Sequence, residues 1–326
     1  MQTIKRLLAA MGCLLILLLI VPRAGAQQTN GLPSGSGLSI SPTISEFTIK
    51  PGGSAVVKIT LKDITVDNVT AKGSVNDFTS DNNTGNPKII TNSDTPGPNS
   101  IKNFVFNLKD VPLQRGEQKD VNVNLQIPQS TPPGAYYGII RYRAVPAGVN
   151  APGAGQVALT ASVGTIVLIT VPGNIRDQVQ VAGLHVYRGT KDGTFFFGPP
   201  SKIGIEIKNF GNGFVKPFGT VEVHNMFKKT VATYQFNNPK QPGNILPNSE
   251  RIFTNNISSI KQFGHYTATA SVSWGSGSQV LTLEKSFWYV PLWLIALVII
   301  ILLALIFLAY RSYTRYNRDR RNTRRK

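Results

Sequence analysis

GHYTATASVSW, residues 264–274, decides the fold class. Tyr266, Ala268, Ala270, Val272 and Trp274 alternate with Thr267, Thr269, Ser271 and Ser273. A period of two sends one set of side chains into a core and the other into water, which is the pattern of a half-buried strand. The same alternation recurs through the chain. Ala55, Val57, Ile59 and Leu61 interleave with Val56, Lys58, Thr60 and Lys62. Val121, Val123, Leu125 and Ile127 do so with Asp120, Asn122, Asn124 and Gln126, and Ile203, Ile205 and Ile207 with Lys202, Gly204, Glu206 and Lys208. Phe104, Phe106 and Leu108 read the same way against Asn103, Val105 and Asn107. Gly, Pro, Asn and Asp separate the runs, and no window between 38 and 287 carries a helical stripe. Such a chain is expected to be all-β, two tandem Ig-like β-sandwich domains.

The division into two follows from a matched feature. Gly134-Ala135-Tyr136 and Gly264-His265-Tyr266 each open an alternating strand, and each follows a proline-led turn with an acid, Pro112 to Glu117 and Pro247 to Glu250. In Ig-like sandwiches a tyrosine at such a strand start returns its hydroxyl to upstream backbone and pins the corner. Tyr136 and Tyr266 are the strand-corner candidates, with a sugar-stacking platform of Tyr136 and Tyr137 as the alternative reading. Residues 157–171 form a more continuous apolar strand ending in Val171-Pro172-Gly173, so the domains are placed at 38–174 and 175–287. Asp192-Gly193 reads as the first hairpin of the second.

Both ends of the chain are apolar. Lys5 and Arg6 precede an apolar run from Leu7 to Val21, and Ala24-Gly25-Ala26 offers a cleavage site, so 1–26 is expected to be a signal peptide and 27–37 a flexible lead-in. Cys13, the single cysteine, falls inside that run, separated from Arg6 by only six residues, too early for a lipid-acceptor position. The mature chain therefore has no cysteine and is held by its cores. At the other end Val290–Ala309 contains no charge, and 20 helical residues span about 30 Å, the hydrocarbon thickness of a bilayer. A transmembrane helix is expected over 288–310 and a basic cytoplasmic tail over 311–326. Trp288 and Trp293 are the interface anchors at one side, Arg311 and Arg315 at the other. The tail holds eight Lys/Arg and one acid, Asp319. By the positive-inside rule it stays cytoplasmic, which makes the chain a single-pass cell-membrane protein with an extracellular ectodomain. No Leu-Pro-x-Thr-Gly motif precedes the span, so the anchor is expected to be retained.

The net charge of +18 overstates the ectodomain. Between leader and tail, 23 Lys/Arg face 15 acids, an excess of about 8 that suits anionic wall polymers or lipid headgroups. Nucleic acid is not an expected partner, because the densest basic run lies against the inner leaflet. The three histidines, His185, His224 and His265, are scattered, and no nucleophile elbow, P-loop or dinucleotide fingerprint occurs. No enzyme, cofactor, metal or catalytic residue is expected. Two polar loops, 79–100 and 145–155, interrupt the first domain as candidate contact surfaces. The first begins beside Asp77 and carries Asp81, Asn82 and Asn83, oxygen donors suited to calcium but without EF-hand spacing.

The order of parts resembles the WxL-interacting protein family of bacterial surface proteins. Ser41-Pro42 followed by Phe47-Thr48-Ile49-Lys50-Pro51-Gly52 is similar to that family's opening, and Val75-Asn76-Asp77-Phe78 also fits. Ile127-Pro128 to Pro132-Pro133-Gly134-Ala135-Tyr136-Tyr137-Gly138 resembles its late strand pair. In the second domain, Lys208-Asn209-Phe210-Gly211-Asn212 with Lys216-Pro217-Phe218-Gly219 is similar to its Asn/Gly/Pro/Gly turn. The resemblance implies binding: peptidoglycan by the first domain, host protein by the second, and WxL-type surface proteins as partners. The expected function is a non-enzymatic, membrane-anchored surface scaffold. The alternative is a sensor or accessory component acting through the basic tail.

Overall fold

A computed structural model of the chain describes residues 37–91, 95–146, 162–237, 242–258, 260–275 and 279–323. The expected leader, most of the lead-in and the greater part of the 145–155 loop lie outside the described residues.

The alternating runs become strands whose apolar face is inward. In the first sandwich these are β1 (Leu38–Ser41), β2 (Ile44–Thr48), β3 (Ser54–Asp63), β4 (Val69–Ser80), β5 (Pro87–Ile90), β6 (Val105–Phe106), β7 (Val111–Leu113), β8 (Gln118–Gln126), β9 (Gly134–Pro146) and β10 (Ser162–Val171). One sheet has the order β1-β3-β8-β6, the other β2-β10-β9-β4-β5 with β7 also on β4. Between them lie Val57, Ile59 and Leu61 of β3, Val123 and Leu125 of β8, and Ile140, Tyr142, Val167 and Ile169 from the facing sheet, all buried. The chain changes sheet at Pro42. β1 runs antiparallel to β3, and after Pro42, which has no N–H to continue a ladder, β2 runs parallel to β10.

The second sandwich comprises β11 (Val179–Arg188), β12 (Lys191–Asp192), β13 (Phe195–Phe196), β14 (Lys202–Asn209), β15 (Phe218–Asn225), β16 (Thr230–Phe236), β17 (Ser249–Asn256), β18 (Gly264–Trp274) and β19 (Gln279–Tyr289). Its sheets are β12-β11-β14-β17 and β13-β19-β18-β15-β16. The device of the first sandwich returns here, since β13 lies parallel on the final strand β19 as β2 does on β10. Ile203, Ile205 and Ile207 face Ala268, Ala270 and Val272 across a separate core. The all-β sandwich reading of the sequence holds.

Four local readings change. Phe104 closes a 3-10 turn (Lys102–Phe104) and is buried, only Val105–Phe106 is strand, Phe106 is exposed, and Leu108 packs half-buried against the core. The 79–100 stretch is not all loop, for Asp77–Ser80 pairs with Pro87–Ile90 in a hairpin. The β11–β12 hairpin turns at Gly189-Thr190, with Arg188 paired to Lys191, and Asp192 stands on β12 bound to His185. Finally, Trp288 and Tyr289 are strand, not membrane helix. They pair with His265 and Gly264, and Val290 N–H still donates to Phe196 O at 2.8 Å. Helix α1 (Leu292–Thr323) begins only after Pro291, whose carbonyl accepts the first helical bond, from Leu294 N–H at 3.0 Å. The stretch assigned to the tail continues this helix as far as Thr323.

Within α1, Leu292–Arg315 is long and apolar enough to cross a membrane, and none of the described residues covers its most apolar stretch.

Candidate binding cleft between the sandwiches

The passage from β10 to β11 is short, and the two sandwiches meet directly. Its centre is Asn212, in the turn after β14. The carbonyl of Asn212 accepts from Ala135 N–H at 2.8 Å, and its Nδ2 donates to Pro133 O at 3.2 Å. Its Oδ1 accepts from Arg176 N–H at 2.7 Å in the connecting segment. One asparagine thus ties the first sandwich, the connection and the second. The turn is shaped by Asn209, fully buried, whose Nδ2 donates to the carbonyls of Gly213 and Ile245 and whose Oδ1 accepts from Gly211 N–H. Gly211 has to be glycine, since a Cβ there would stand 2.1 Å from Arg176 O.

Beside this knot an apolar seam joins Phe78, Ile139 and Leu168 to Leu246, with Tyr137 and Phe214 packed against them. Tyr137 lies 5.1 Å from Phe78 and 6.2 Å from Phe214, ring centre to ring centre, and burial pushes its hydroxyl pKa up. The tip of the β4–β5 hairpin reaches the second sandwich too, where Asn83 O accepts from Ile252 N–H at 2.7 Å. Arg251 lies against Gly85 there. Burial lowers its guanidinium pKa, and the nearby Asp81 carboxylate partly restores it.

Beside the seam, which lends it Leu168 and Phe214, the sandwiches part into a cleft of about 500 Å³. Its first-sandwich wall is Glu46, Phe47 and Thr48 of β2 with Leu168 and Thr170 of β10; Lys216, Asn244 and Trp274 face them. Glu46 closes one side, with Oε2 2.6 Å from Lys216 Nζ and Oε1 accepting from Asn244 Nδ2 at 3.1 Å. At the other side the half-buried indole of Trp274 stands with Asp177, and both also line a shallower adjoining hollow with Gln178, Gln180 and Phe210. The lining has carboxylates, an ammonium, amides, hydroxyls and an indole, a set suited to a polar, ring-bearing ligand.

The residues singled out from sequence are placed as follows. Tyr136 OH donates to Pro132 O at 3.0 Å, and Tyr266 OH to Gln262 O at 2.6 Å, each four residues upstream. Tyr136 packs edge-on to Phe104 inside the first core, and Tyr137 is spent in the seam, so the two rings form no exposed sugar platform. Trp288 lies on β19 with its ring 4.9 Å from that of His265, and Trp293 in the first turn of α1 meets Phe263. Arg311 and Arg315 are exposed further along α1. The calcium reading does not gather its donors. Asp77 is buried on Ser100 Oγ, Gly97 N–H and Lys102 Nζ. Asp81 accepts from the Thr84 hydroxyl and the amides of Asn83 and Gly85, which hold its pKa down to about 2. Among the described residues no group of three or more acidic, His or Cys side chains is arranged for a metal.

Sequence reasoning missed the Asn212 knot, the cleft and one charged cluster. His185 has Asp192 at 2.7 Å on one ring nitrogen and Glu206 at 3.2 Å on the other. With both nitrogens facing carboxylates, the ring has no position left for activating a nucleophile. The three come from three strands, so no spacing announced them.

No family model and no curated protein matches the chain. Solved structures align with much of the chain at low similarity. The class 5 fimbriae chaperone CfaA is 13% identical over 78% of this chain and 100% of its own, with a TM-score of 0.36. The E. coli chaperone DraB is 14% identical over 76% and 97%, at 0.34. The Pseudomonas aeruginosa CupB2 chaperone is 10% identical over 76% and 100%, also at 0.34. Values this low place no residue of those proteins on a residue of this one.

Proposed function

We propose that this chain is a non-enzymatic, membrane-anchored surface protein whose paired sandwiches hold a cell-wall polymer in the cleft between them. The observation that carries this reading is Trp274 beside Asp177, facing Glu46, Thr48 and Asn244. An indole with flanking carboxylate, hydroxyl and amide groups suits a saccharide, whose C–H faces stack on aromatic rings while its hydroxyls need hydrogen-bond partners. The N-acetyl and carboxyl groups of peptidoglycan add amide and charged partners. Helix α1 anchors the protein with the sandwiches outside and the basic tail inside. Surface proteins, WxL-type by resemblance, are the expected protein partners.

Detergent-solubilised full-length protein should co-sediment with isolated bacterial cell wall, and Trp274→Ala should lose most of that binding. Unchanged sedimentation of the variant would move the site out of the cleft. No sedimentation of either protein would overturn wall binding.

A further inference from the structure

The end of the second sandwich nearest α1 carries apolar side chains that its core does not use. Strand register places them together. Phe195 pairs with Trp288, Trp288 with His265, and Tyr266 with Asn225, so β13, β19, β18 and the β15–β16 turn all finish at the same edge. That turn presents Met226 and Phe227 to solvent, and Phe227 is 81% exposed. Phe263 is exposed beside the Trp293 ring, and Phe195 and Phe197 stack edge to face at 5.3 Å while both remain open to solvent. A hairpin tip gains nothing in water from exposing adjacent Met and Phe.

What covers them follows from connectivity and charge. Only Val290 and Pro291 separate β19 from α1, so the end of β19 lies within about 10 Å of the helix's first turn, and β15 stands two strands, about 10 Å, further across the sheet. The segments that build it, 194–199, 225–230, 260–266 and 286–293, contain no Asp or Glu but do contain Lys228, Lys229 and Lys261, all exposed. Aromatic rings interleaved with lysines suit the headgroup layer, where rings take the amphipathic zone and ammonium groups meet anionic lipid. We propose that this edge is a membrane seat: Phe227 and its neighbours enter the headgroup layer on the ectodomain side and hold the second sandwich directly on the bilayer. The inference rests on α1 being a membrane span. It makes the ectodomain a body of fixed orientation, not one swinging on a stalk.

The test uses full-length protein with Cys13→Ser, carrying one environment-sensitive fluorophore at Phe227→Cys, Phe106→Cys or Leu302→Cys, in vesicles containing phosphatidylglycerol and a spin-labelled quencher lipid. The label at 302 should be quenched by the lipid, the label at 227 quenched and blue-shifted, and the label at 106, on the exposed surface of the first sandwich, neither. Lys228→Glu with Lys229→Glu should lessen quenching at 227 and leave 302 unchanged. Quenching at 302 with 227 as open to aqueous iodide as 106 would overturn the seat and leave the span. No lipid quenching at 302 would overturn the span and the seat with it.

Discussion

Glu46 and Lys216 meet across the cleft, carboxylate oxygen to ammonium nitrogen at 2.6 Å, one from β2 of the first sandwich and the other from the turn before β15. Both side chains are nearly half exposed, so solvent and salt screen the pair. Glu46→Gln should therefore cost under about 1 kcal/mol in urea unfolding, a difference that disappears in concentrated salt. Its larger effect should be on wall binding, because Glu46 Oε1 also positions the Asn244 amide. A stability loss well above that limit would mean the pair holds the domains together.

Asn212 is the residue expected to do that. Its side chain bonds Arg176 N–H and Pro133 O, and its removal leaves both to water or to each other at roughly 1 kcal/mol apiece. Asn212→Ala should split a single calorimetric unfolding transition into two, as the sandwiches melt independently. A single transition merely shifted to lower temperature would show that the apolar seam and the remaining backbone bonds to Ala135 and Ile252 still couple them.

The strand-corner tyrosines give a matched pair. Tyr136→Phe and Tyr266→Phe keep the buried ring and delete one hydrogen bond, so each should lose about 1 kcal/mol with no change in wall binding. Equal losses measured by urea unfolding would support equivalent corners. A change in wall binding for Tyr136→Phe would mean the first corner also shapes the cleft.

These tyrosines were legible because a strand start is local: Gly-x-Tyr and the alternation after it lie in one stretch. The cores were legible for the same reason, since period two fixes which face of β3, β8, β14 and β18 is buried whatever the partner. The run 103–108 misled because alternation over so few residues does not tell a strand from a 3-10 turn. The last strand was misread because Phe287, Trp288 and Tyr289 suit a membrane interface and a sheet edge equally, and only the pairing with β18 decides. The cleft was not legible at all. Glu46, Asp177, Asn244 and Trp274 are brought together by how two domains sit, a relation that no local pattern encodes.

The hairpin tip offers a test of close approach. Gly85 has φ +75°, and a Cβ there would stand 2.6 Å from Arg251 Cδ, whereas Gly189, at φ +64°, has open space around it. Both glycines avoid the left-handed penalty of about 1–2 kcal/mol. Gly189→Ala should pay that alone, and Gly85→Ala should pay it and also displace Arg251 from the hairpin tip. The excess for Gly85→Ala over Gly189→Ala in chemical denaturation measures the Arg251 contact, and equal losses would show that the arginine moves aside freely.

Acid should loosen the second sandwich through the His185 cluster. Burial by itself would raise the pKa of Asp192, but the His185 ring and Val186 N–H outweigh it and hold the carboxyl below its ordinary range. Burial likewise opposes the lowering of Glu206, which Lys208 and His185 bring about, while Glu250 shares Lys208. A carboxylate with a depressed folded pKa contributes stability that is complete above its unfolded value, about 4, and is lost as pH falls through the folded value. The stability gap between wild type and the double variant Asp192→Asn, Glu206→Gln should thus be widest near neutrality and close between about pH 5 and pH 2. Urea midpoints across that range measure it. A gap that stays constant as pH falls would mean the variant acts through packing and not through charge.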